Sequence, residues 1–347
     1  MKGRIWTVAV GLAALAALIA VPAAMAAYTS PKLEVQQTGT TTTFRLTQSF
    51  DEDPTAVASI FVPPGTTLTT SQAPGTVLGK ASARLRLRGL ADADVPVEGN
   101  VVVASIGPDP TKGQVPPETQ QRCTQGVTPL ATWILSVSVA GNTVPVPVFL
   151  VPSTAPLSAL GPAYVRACFT SPYLLPGQGG LTGQPQVVNA EFSIKGVFSP
   201  VSVGAFVGIL VPWTVGTATP NAAATIATPA AIAPGAVSIS AKRSGKGAIV
   251  SGAVTQAGQP RGAATVTVLG GSVKSKLTTR KRVRVSASGR FSAKFAVGTF
   301  FRADAVATTG SAPPLCTQLA ALQALGIQCV NPTVNGFAVK SKVVRKR

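Results

Sequence analysis

The segment GTATPNAAATIATPAAIAPGA occupies residues 216–236 and divides the chain into two parts of different character. It has no charged residue, and Pro220, Pro229 and Pro234 interrupt a run made mostly of Ala and Thr. Such a composition has little apolar surface to bury and favours extended, hydrated backbone. It therefore predicts a semi-stiff linker between two domains, at residues 27–215 and 237–347.

Charge differs sharply on the two sides of this segment. Residues 27–215 include ten basic and ten acidic side chains, whereas residues 237–347 include eighteen basic side chains and one acid, Asp304. The sequence thus predicts a first domain that is neutral overall and a second domain that is strongly basic.

The N-terminus has the pattern of a secretory signal peptide. Lys2 and Arg4 precede an apolar run at residues 8–21, and Ala24-Met25-Ala26 is a small-x-small cleavage site. An uncleaved anchor is the alternative, but the run is shorter than the about 20 residues that span a bilayer. We expect a signal peptide at residues 1–26 and a secreted protein without a transmembrane segment, free or bound non-covalently to the cell envelope.

Composition also limits the chemistry. The chain has no His, which excludes Ser-His-Asp and Cys-His hydrolases and His-ligated zinc or copper sites. Carboxylates remain, in a turn at residues 51–53 and at Asp92, Asp94 and Glu98, but neither group has a calcium or glycosidase motif. We interpret both as solvated turns. No catalytic residue, metal or cofactor is predicted.

Four cysteines in an exported chain predict two disulfides. Three pairings of Cys123, Cys168, Cys316 and Cys329 are possible. We expect Cys123–Cys168 and Cys316–Cys329, because each of these keeps its bridge within one predicted domain.

The abundance of Val, Thr, Ser, Gly and Pro favours β-structure with many turns. In the first domain we expect a β-sandwich, and the uncharged run at 197–215 is interpreted as buried strand because prolines interrupt it. The expected strands are 33–35, 41–47, 56–63, 79–88, 95–105, 131–139, 143–151, 163–169 and 187–197.

The second domain has seven short candidate strands, which favour an immunoglobulin-like sandwich. Alternation places Phe291, Ala293, Phe295 and Val297 on one face of its fifth strand. A helix at 315–325, with a cysteine near each end, is expected to cover a sheet edge or an end of the sandwich. The candidate strands are 237–241, 248–255, 264–269, 279–286, 290–297, 301–308 and 333–344. The predicted fold class is all-β: two β-sandwich domains, a Pro/Ala/Thr linker and one short disulfide-flanked helix.

Two resemblances accompany these patterns. The second half has SGAVTQAGQPRGAATVTV at 251–268, followed by SGRFSAKF and VGTFFRADA, and it resembles carboxypeptidase-regulatory-like and other bacterial immunoglobulin-like modules. That resemblance implies a spacer or binding appendage, and the insertion at 309–332 departs from it. The first half, with DPTAVASIFVPPG, APGTVLG and LGPAYVRACF, resembles a group of uncharacterised secreted actinobacterial proteins, which implies secretion only.

The basic side chains of the second domain are the candidate binding residues. Arg280, Arg282 and Arg284 alternate along one strand, so they share a face at a spacing of about 6.6–7 Å. We expect salt-dependent polyanion binding. The full candidate set is Lys274, Lys276, Arg280, Arg282, Arg284, Lys340, Lys342, Arg345, Lys346 and Arg347.

Outside a bacterial cell, anionic cell-wall or capsule polymers are the expected partners. Nucleic acid is disfavoured, because it lies in another compartment and the basic strands lack interleaved aromatic residues to stack bases. Two alternatives stay open: an extracellular hydrolase that depends on carboxylates of the first domain, and a plain structural spacer whose basic face has no dedicated ligand. The sequence does not indicate an oligomeric state.

Overall fold

The structure is a computed structural model that describes residues 28–139, 142–178, 180–312 and 314–347. The predicted signal peptide at 1–26 and the predicted first mature residue, Ala27, lie outside the described residues. The protein is all-β, as predicted, with several sheets and a few short helices.

The described chain forms twenty-four strands and three α-helices. The strands are β1 (Lys32–Thr38), β2 (Thr41–Thr47), β3 (Thr55–Phe61), β4 (Val77–Leu87), β5 (Ala93–Ile106), β6 (Gln114–Val115), β7 (Ala131–Val139), β8 (Asn142–Pro152), β9 (Ala163–Cys168), β10 (Pro185–Lys195), β11 (Gly204–Pro212), β12 (Ile226–Ile232), β13 (Gly235–Ser244), β14 (Gly247–Gln256), β15 (Gln259–Pro260), β16 (Thr265–Gly271), β17 (Thr279–Arg284), β18 (Arg290–Phe295), β19 (Phe300–Ala307), β20 (Gly310–Ser311), β21 (Gln328–Cys329), β22 (Thr333–Val334), β23 (Phe337–Lys340) and β24 (Val344–Arg345). The helices are α1 (Pro117–Thr124), α2 (Pro314–Gln318) and α3 (Ala320–Ala324).

One large sheet dominates the first part of the molecule. Its strand order is β1-β2-β10-β4-β5-β7-β8-β9-β3-β11-β12-β22-β20, with β6 beside β5 and β21 beside β12. The sheet bends back on itself, because the Leu33 amide of β1 donates to Thr228 Oγ1 (3.1 Å) and the Leu33 carbonyl accepts from Thr333 Oγ1 (2.7 Å). The two layers enclose one core, in which Phe44 and Trp133 are fully buried.

Alternation along the first two strands decides which side chains enter this core. In β1 and β2, Leu33, Val35 and Phe44 point inward and are buried, while Glu34 and Arg45 between them point outward. The pairing of β1 with β2 is antiparallel and places Glu34 opposite Arg45. Period-two patterning thus builds an apolar core and a charged outer surface from the same residues.

A smaller sandwich follows. One of its sheets contains β13, β14, β15 and β18, and the other has the order β17-β16-β19-β23 with β24 also beside β19. Phe291, Ala293 and Phe295 of β18 point into the core, as predicted. The same prediction is wrong for Val297, which lies beyond the end of β18 and is 69% exposed. Alternation determines the faces only as far as the strand itself continues.

The predicted linker contains a buried strand, and its interpretation as hydrated backbone is wrong there. β12 pairs antiparallel with β11 on one side and parallel with β21 and β22 on the other, and six of its seven residues are buried. Its backbone groups therefore find partners in protein rather than in water. Only Ala233 and Pro234 separate β12 from β13. The domain limits at 215 and 237 stay predictions.

Residues 309–334, here called the strap, leave the small sandwich after β19 and return to the large sheet through β20, β21 and β22. The single helix predicted in this segment is two short helices, because Leu319 (φ −99°, ψ 70°) has a non-helical backbone between α2 and α3. Leu322 of α3 is only 1% exposed and packs against Phe61 and Val207 of the large sheet. The strap therefore covers the larger sheet, not an end of the small sandwich.

Polar side chains join the strap to its surroundings. Asn331 Nδ2 donates to the carbonyls of Thr29 (2.8 Å) and Pro31 (2.9 Å), at the start of the described chain. Gln256 Nε2 of β14 donates to the carbonyl of Asn335 (2.8 Å), just after the strap. We call residues 28–233 with the strap the first unit, and residues 235–307 with 337–347 the second unit.

Both predicted disulfides are confirmed. Cys123 is bonded to Cys168, and Cys316 is bonded to Cys329 within the strap. Cys168 lies at the end of β9, within a predicted strand, whereas Cys123 lies on α1, a helix that was not predicted. The first bridge therefore connects α1 to the large sheet.

Candidate functional site

The strand β17 presents the three alternating arginines. It is an edge strand, paired with β16 alone, and Val283 packs against the core of the second unit. Lys281, on the same inward side, has its Nζ atom 5.6 Å from the centroid of the Phe295 ring. Because neighbours alternate, Arg280, Arg282 and Arg284 lie together on the outer side, and all three are exposed. Their predicted common face is thus present.

The register extends this face across the sheet. Arg282 lies opposite Thr267 of β16, Thr267 lies opposite Asp304 of β19, and Asp304 lies opposite Lys340 of β23. Arg345 of β24 lies opposite Phe300 on the same outer side. Neighbouring strands are about 4.8 Å apart, so these side chains form rows across one surface. We call it the basic face, and it contains Arg280, Arg282, Arg284, Arg302, Lys340 and Arg345.

Arg302 is the one member of the basic face that lies outside the predicted set. Its Nε and Nη2 atoms donate to the two carboxylate oxygens of Asp304, at 2.8 and 3.0 Å. Alternation along β19, FFRADAVA, provides the signal that was overlooked, because Phe301 is buried and positions 302 and 304 must then point outward. Within the described part of the second unit, Arg302–Asp304 is the single ion pair.

The other predicted cations flank the basic face. Lys274 and Lys276 lie in the loop that joins β16 to β17, next to the end that carries Arg280. Lys342 lies between β23 and β24 and is exposed. At the end of the chain, the Lys346 amide donates to the carbonyl of Thr299 and the Arg347 amide donates to the carbonyl of Ala241, so these two residues connect one sheet of the sandwich to the other. Half of the predicted set therefore lies on the basic face, and half lies around it.

The opposite sheet of the second unit has a sparser set of cations. Lys242 of β13 and Lys294 of β18 both lie opposite Ile249 of the central strand β14, and Arg290 lies opposite Ala253. All three are exposed. They supply matched controls, because removing them changes the net charge as much as removing three arginines from β17.

On the outer surface of the large sheet, basic and acidic side chains form ion pairs with each other. Arg45 donates to Glu191 Oε2 through Nε (2.7 Å) and Nη2 (2.5 Å), and its Nη1 is 3.7 Å from Glu34 Oε2. Lys32 Nζ is 2.5 Å from Glu34 Oε1. A shallow groove of about 530 Å³ lies over these residues and over Glu98, which is exposed. The structure thus places Glu98 in a groove with Glu191 and Glu34.

Two of the three residues of the acidic turn before β3 are buried, so its interpretation as a solvated turn is wrong for Glu52 and Asp53, whereas Asp51 is exposed. Glu52 and Asp53 are 8% and 7% exposed. Glu52 Oε1 accepts from the amides of Thr29 (2.7 Å) and Ser30 (2.6 Å), and its Oε2 accepts from Ser30 Oγ (2.5 Å). Burial raises the pKa of Asp53, and the positive charge of Arg88 partly offsets that rise. The Glu52 carboxylate thus anchors the start of the described chain.

Three further features bear on possible functions: the tryptophans, the side chains that could bind a metal, and the helices. Trp133 and Trp213 are buried, so neither presents an aromatic platform for a sugar ring. Across the described ranges, no group of three or more His, Cys, Asp or Glu side chains is placed to hold a metal ion. None of the helices in those ranges is long and apolar enough to cross a membrane.

Comparisons with known proteins add little. No protein-family model matches the chain, and no curated protein matches it. Among solved structures, it is similar to "Crystal structure of tetra-tandem repeat in extending region of large adhesion protein", with 12% sequence identity and a TM-score of 0.23. That match covers 90% of this chain and 72% of the other. So low a TM-score supports no conclusion about function, and the two resemblances drawn from sequence stay predictions.

Proposed function

We propose that this protein is a secreted, non-catalytic component of the cell envelope that binds anionic surface polymers through the basic face. The observation that supports the proposal is the placement of six cations on one sheet surface with a single carboxylate, Asp304, among them. The remaining predicted cations surround that surface and add to its positive potential.

The physical basis is the sum of several weak contacts. A single exposed ion pair contributes only about 0.2–1 kcal/mol in water. A polymer that meets several cations at once adds these contributions and releases its counterions, which makes binding cooperative along the chain and steeply dependent on salt. The open, flat shape of a sheet surface suits an extended polymer better than a small molecule, which favours an enclosed pocket.

The spacer alternative has a specific physical argument. Charged side chains on edge strands such as β17 prevent sheets of different molecules from pairing. Edge protection requires charge but does not require one sign, and salt bridges with acidic neighbours would serve it equally well. From residue 237 to residue 347 the sequence has eighteen cations and one acid. The uniform sign is the feature that favours a ligand over edge protection alone.

The hydrolase alternative concerns the groove on the large sheet. Glycoside hydrolysis uses two carboxyl groups, one as acid and one as base or nucleophile. Glu191 and Glu34 both contact Arg45, which favours a structural role for them and leaves Glu98 without a second free carboxylate in the groove. This arrangement supports the non-catalytic proposal.

The test is co-sedimentation of the mature full-length protein with purified bacterial cell wall at low and high salt. We compare the wild type with a face variant, Arg280→Gln, Arg282→Gln and Arg284→Gln. The control is Lys242→Gln, Arg290→Gln and Lys294→Gln, which removes equal charge from the opposite sheet. We expect wild type and control to bind at low salt and to dissociate at high salt, while the face variant stays in solution.

Two results would contradict the proposal. One is the absence of wild-type binding at low salt, and the other is an equal loss in both triple variants, which would assign binding to net charge. A truncation after Ala236 is a poor substitute for these variants. It deletes the strap, which pairs with β12 and covers Phe61 and Val207, so lost binding would be confused with misfolding.

A further inference from the structure

The basic face contains one uninterrupted line of cations, and that line runs along β17. Arg280, Arg282 and Arg284 follow each other at every second residue, with Lys274 and Lys276 beyond one end. On β19 the corresponding line is broken, because Arg302 is engaged by Asp304. A linear ligand that follows the strand direction therefore meets the largest number of unpaired cations along β17.

The spacing of this line is set by the backbone. Two residues of extended chain place successive outward side chains about 6.6–7 Å apart. Six covalent bonds separate their Cα atoms, namely Cα–C, C–N and N–Cα taken twice. A polymer in which three carbon atoms join successive phosphates, P–O–C–C–C–O–P, also has six bonds between its charges. When both chains are extended, one phosphate lies beside each arginine.

The types of side chain on the basic face are suited to binding phosphate groups. Five of the six cations of the basic face are Arg, whose planar guanidinium donates two parallel N–H groups to two oxygens of one anion. The neighbours of the arginine line on β16 are Thr265, Thr267 and Leu269. Two of them supply hydroxyl groups and none supplies an aromatic ring on which a base could stack. A spacer made of a polyol fits this surface better than a nucleoside does.

We infer that the polymer recognised by the basic face is a linear polyol phosphate with a three-carbon repeat, bound along β17. This inference rests on the proposed function and specifies its ligand. Polymers of uronic acids have a rigid sugar ring between successive carboxylates, so they cannot adjust their charge spacing to the strand. The spacing of β17 thus selects among polyanions that net charge alone would treat alike.

The experiment measures dissociation constants of the full-length protein at one fixed ionic strength. The probes are poly(glycerol phosphate), polygalacturonate and a single-stranded oligothymidylate, each with the same number of charges. We expect poly(glycerol phosphate) to bind at least about tenfold more tightly than polygalacturonate, and more tightly than the oligonucleotide. A second series measures poly(glycerol phosphate) binding at several salt concentrations. Arg282→Gln, at the centre of the line, should reduce the magnitude of the slope of log K against log salt by about 0.7, and Lys294→Gln should leave that slope unchanged.

Each adverse outcome has its own meaning. Equal affinity for polygalacturonate would overturn the inference from spacing while the proposed function stands. Tighter binding of the oligonucleotide would overturn the polyol assignment. Failure of all three probes to bind at low salt would overturn both the inference and the proposed function. Thermal melting of each variant verifies that it is folded, and we expect unchanged melting for both because the replaced residues are exposed.

Discussion

The outer surfaces of the two units are built by the same alternation but use charge in opposite ways. On the first unit, Arg45 lies between Glu34 and Glu191 and contacts both. On the second unit, Arg282 lies beside Thr267, and the adjacent positions on its own strand that share its face are also arginines. What differs is the residue that each cross-strand neighbour presents. A cation with an acidic neighbour is neutralised within the protein, whereas a cation without one is available to a ligand.

This difference separates charges that stabilise the fold from charges that do not. Opposite charges across strands contribute roughly 0.2–1 kcal/mol, and like charges placed together are destabilising by similar amounts. The charge of the second unit therefore opposes folding slightly, and the apolar core of Val268, Phe295 and Phe301 must stabilise the sandwich without its help. The following variants test this distinction, from the largest expected effect to the smallest.

The largest effect is expected inside the first unit, where the strap packs on the large sheet. Leu322→Ala removes a buried side chain from the cluster between the strap and the large sheet and should lower the free energy of unfolding by about 2–5 kcal/mol. Leu325→Ala, on the same segment but 39% exposed, should stay within about 0.5 kcal/mol of the wild type. Urea denaturation measures both. Similar losses in the two variants would show that the strap does not dock as described.

A buried charge of the first unit comes next. Glu52→Ala removes the acceptor for the amides of Thr29 and Ser30 and should cost about 3 kcal/mol, because each hydrogen bond to a charged group contributes about 1.5–3 kcal/mol. Glu98→Ala, at an exposed position, is the control and should change stability by less than about 0.5 kcal/mol. If Glu52→Ala and Glu98→Ala unfold at the same temperature, the Glu52 carboxylate stabilises the first unit no more than the exposed cations stabilise the second.

The pH dependence of stability tests a buried ionisable group of the first unit, the phenol of Tyr28. Burial raises the pKa of Tyr28 well above that of an exposed tyrosine, and the nearby carboxylates of Glu52 and Asp53 add to the rise. The folded state then keeps its proton while the unfolded state loses it, so stability should fall above about pH 10, by up to about 1.4 kcal/mol per pH unit. Tyr28→Phe should show a shallower fall in unfolding free energy between pH 9 and 11, and an identical fall would contradict this origin.

The smallest effect tests the opening comparison directly. Arg45→Gln breaks contacts with Glu34 and Glu191 and should cost about 1 kcal/mol, since both pairs are partly exposed. Arg282→Gln removes a cation without an acidic partner on its strand and should cost nothing or stabilise by a few tenths of a kcal/mol. Thermal unfolding at low salt resolves the two, and added salt should reduce the gap. A larger loss of stability for Arg282→Gln than for Arg45→Gln would show that the charge of Arg282 stabilises the fold.

Alternation within a single strand was sufficient to predict which side chains face the core in much of the molecule. The period-two sequence of β17 and β18 predicted which side chains face the core, because both faces are decided by neighbouring residues. The same reasoning, applied to β19, would have found Arg302. The pairings Cys123–Cys168 and Cys316–Cys329 were predicted by keeping each bridge within one predicted domain, and both are present, although the structure places all four cysteines in the first unit.

Local sequence patterns could not predict features that depend on contacts with residues far away in the sequence. The composition of β12 is that of a linker, and its burial comes from β11 on one side and from strap strands about 100 residues later on the other. Glu52 looked like part of a solvated turn, and only the position of Thr29 and Ser30 makes it a buried anchor. One helix was predicted at 315–325, but the segment is broken at Leu319, and Leu322 packs on the large sheet.

The hydrogen bond between Leu33 and Thr333 has a consequence for the order in which the protein can be completed. These residues are 300 positions apart in the sequence. At a synthesis rate of about 5–20 residues per second, Leu33 is made about 15–60 s before its partner. Throughout that interval β1 lacks this partner, and from its own synthesis onward β12 lacks β21 and β22. Contacts so distant in sequence form slowly. The first strand of the fold therefore gains its last contact only when almost the whole chain has been made, so the large sheet is completed by residues near the end of the sequence.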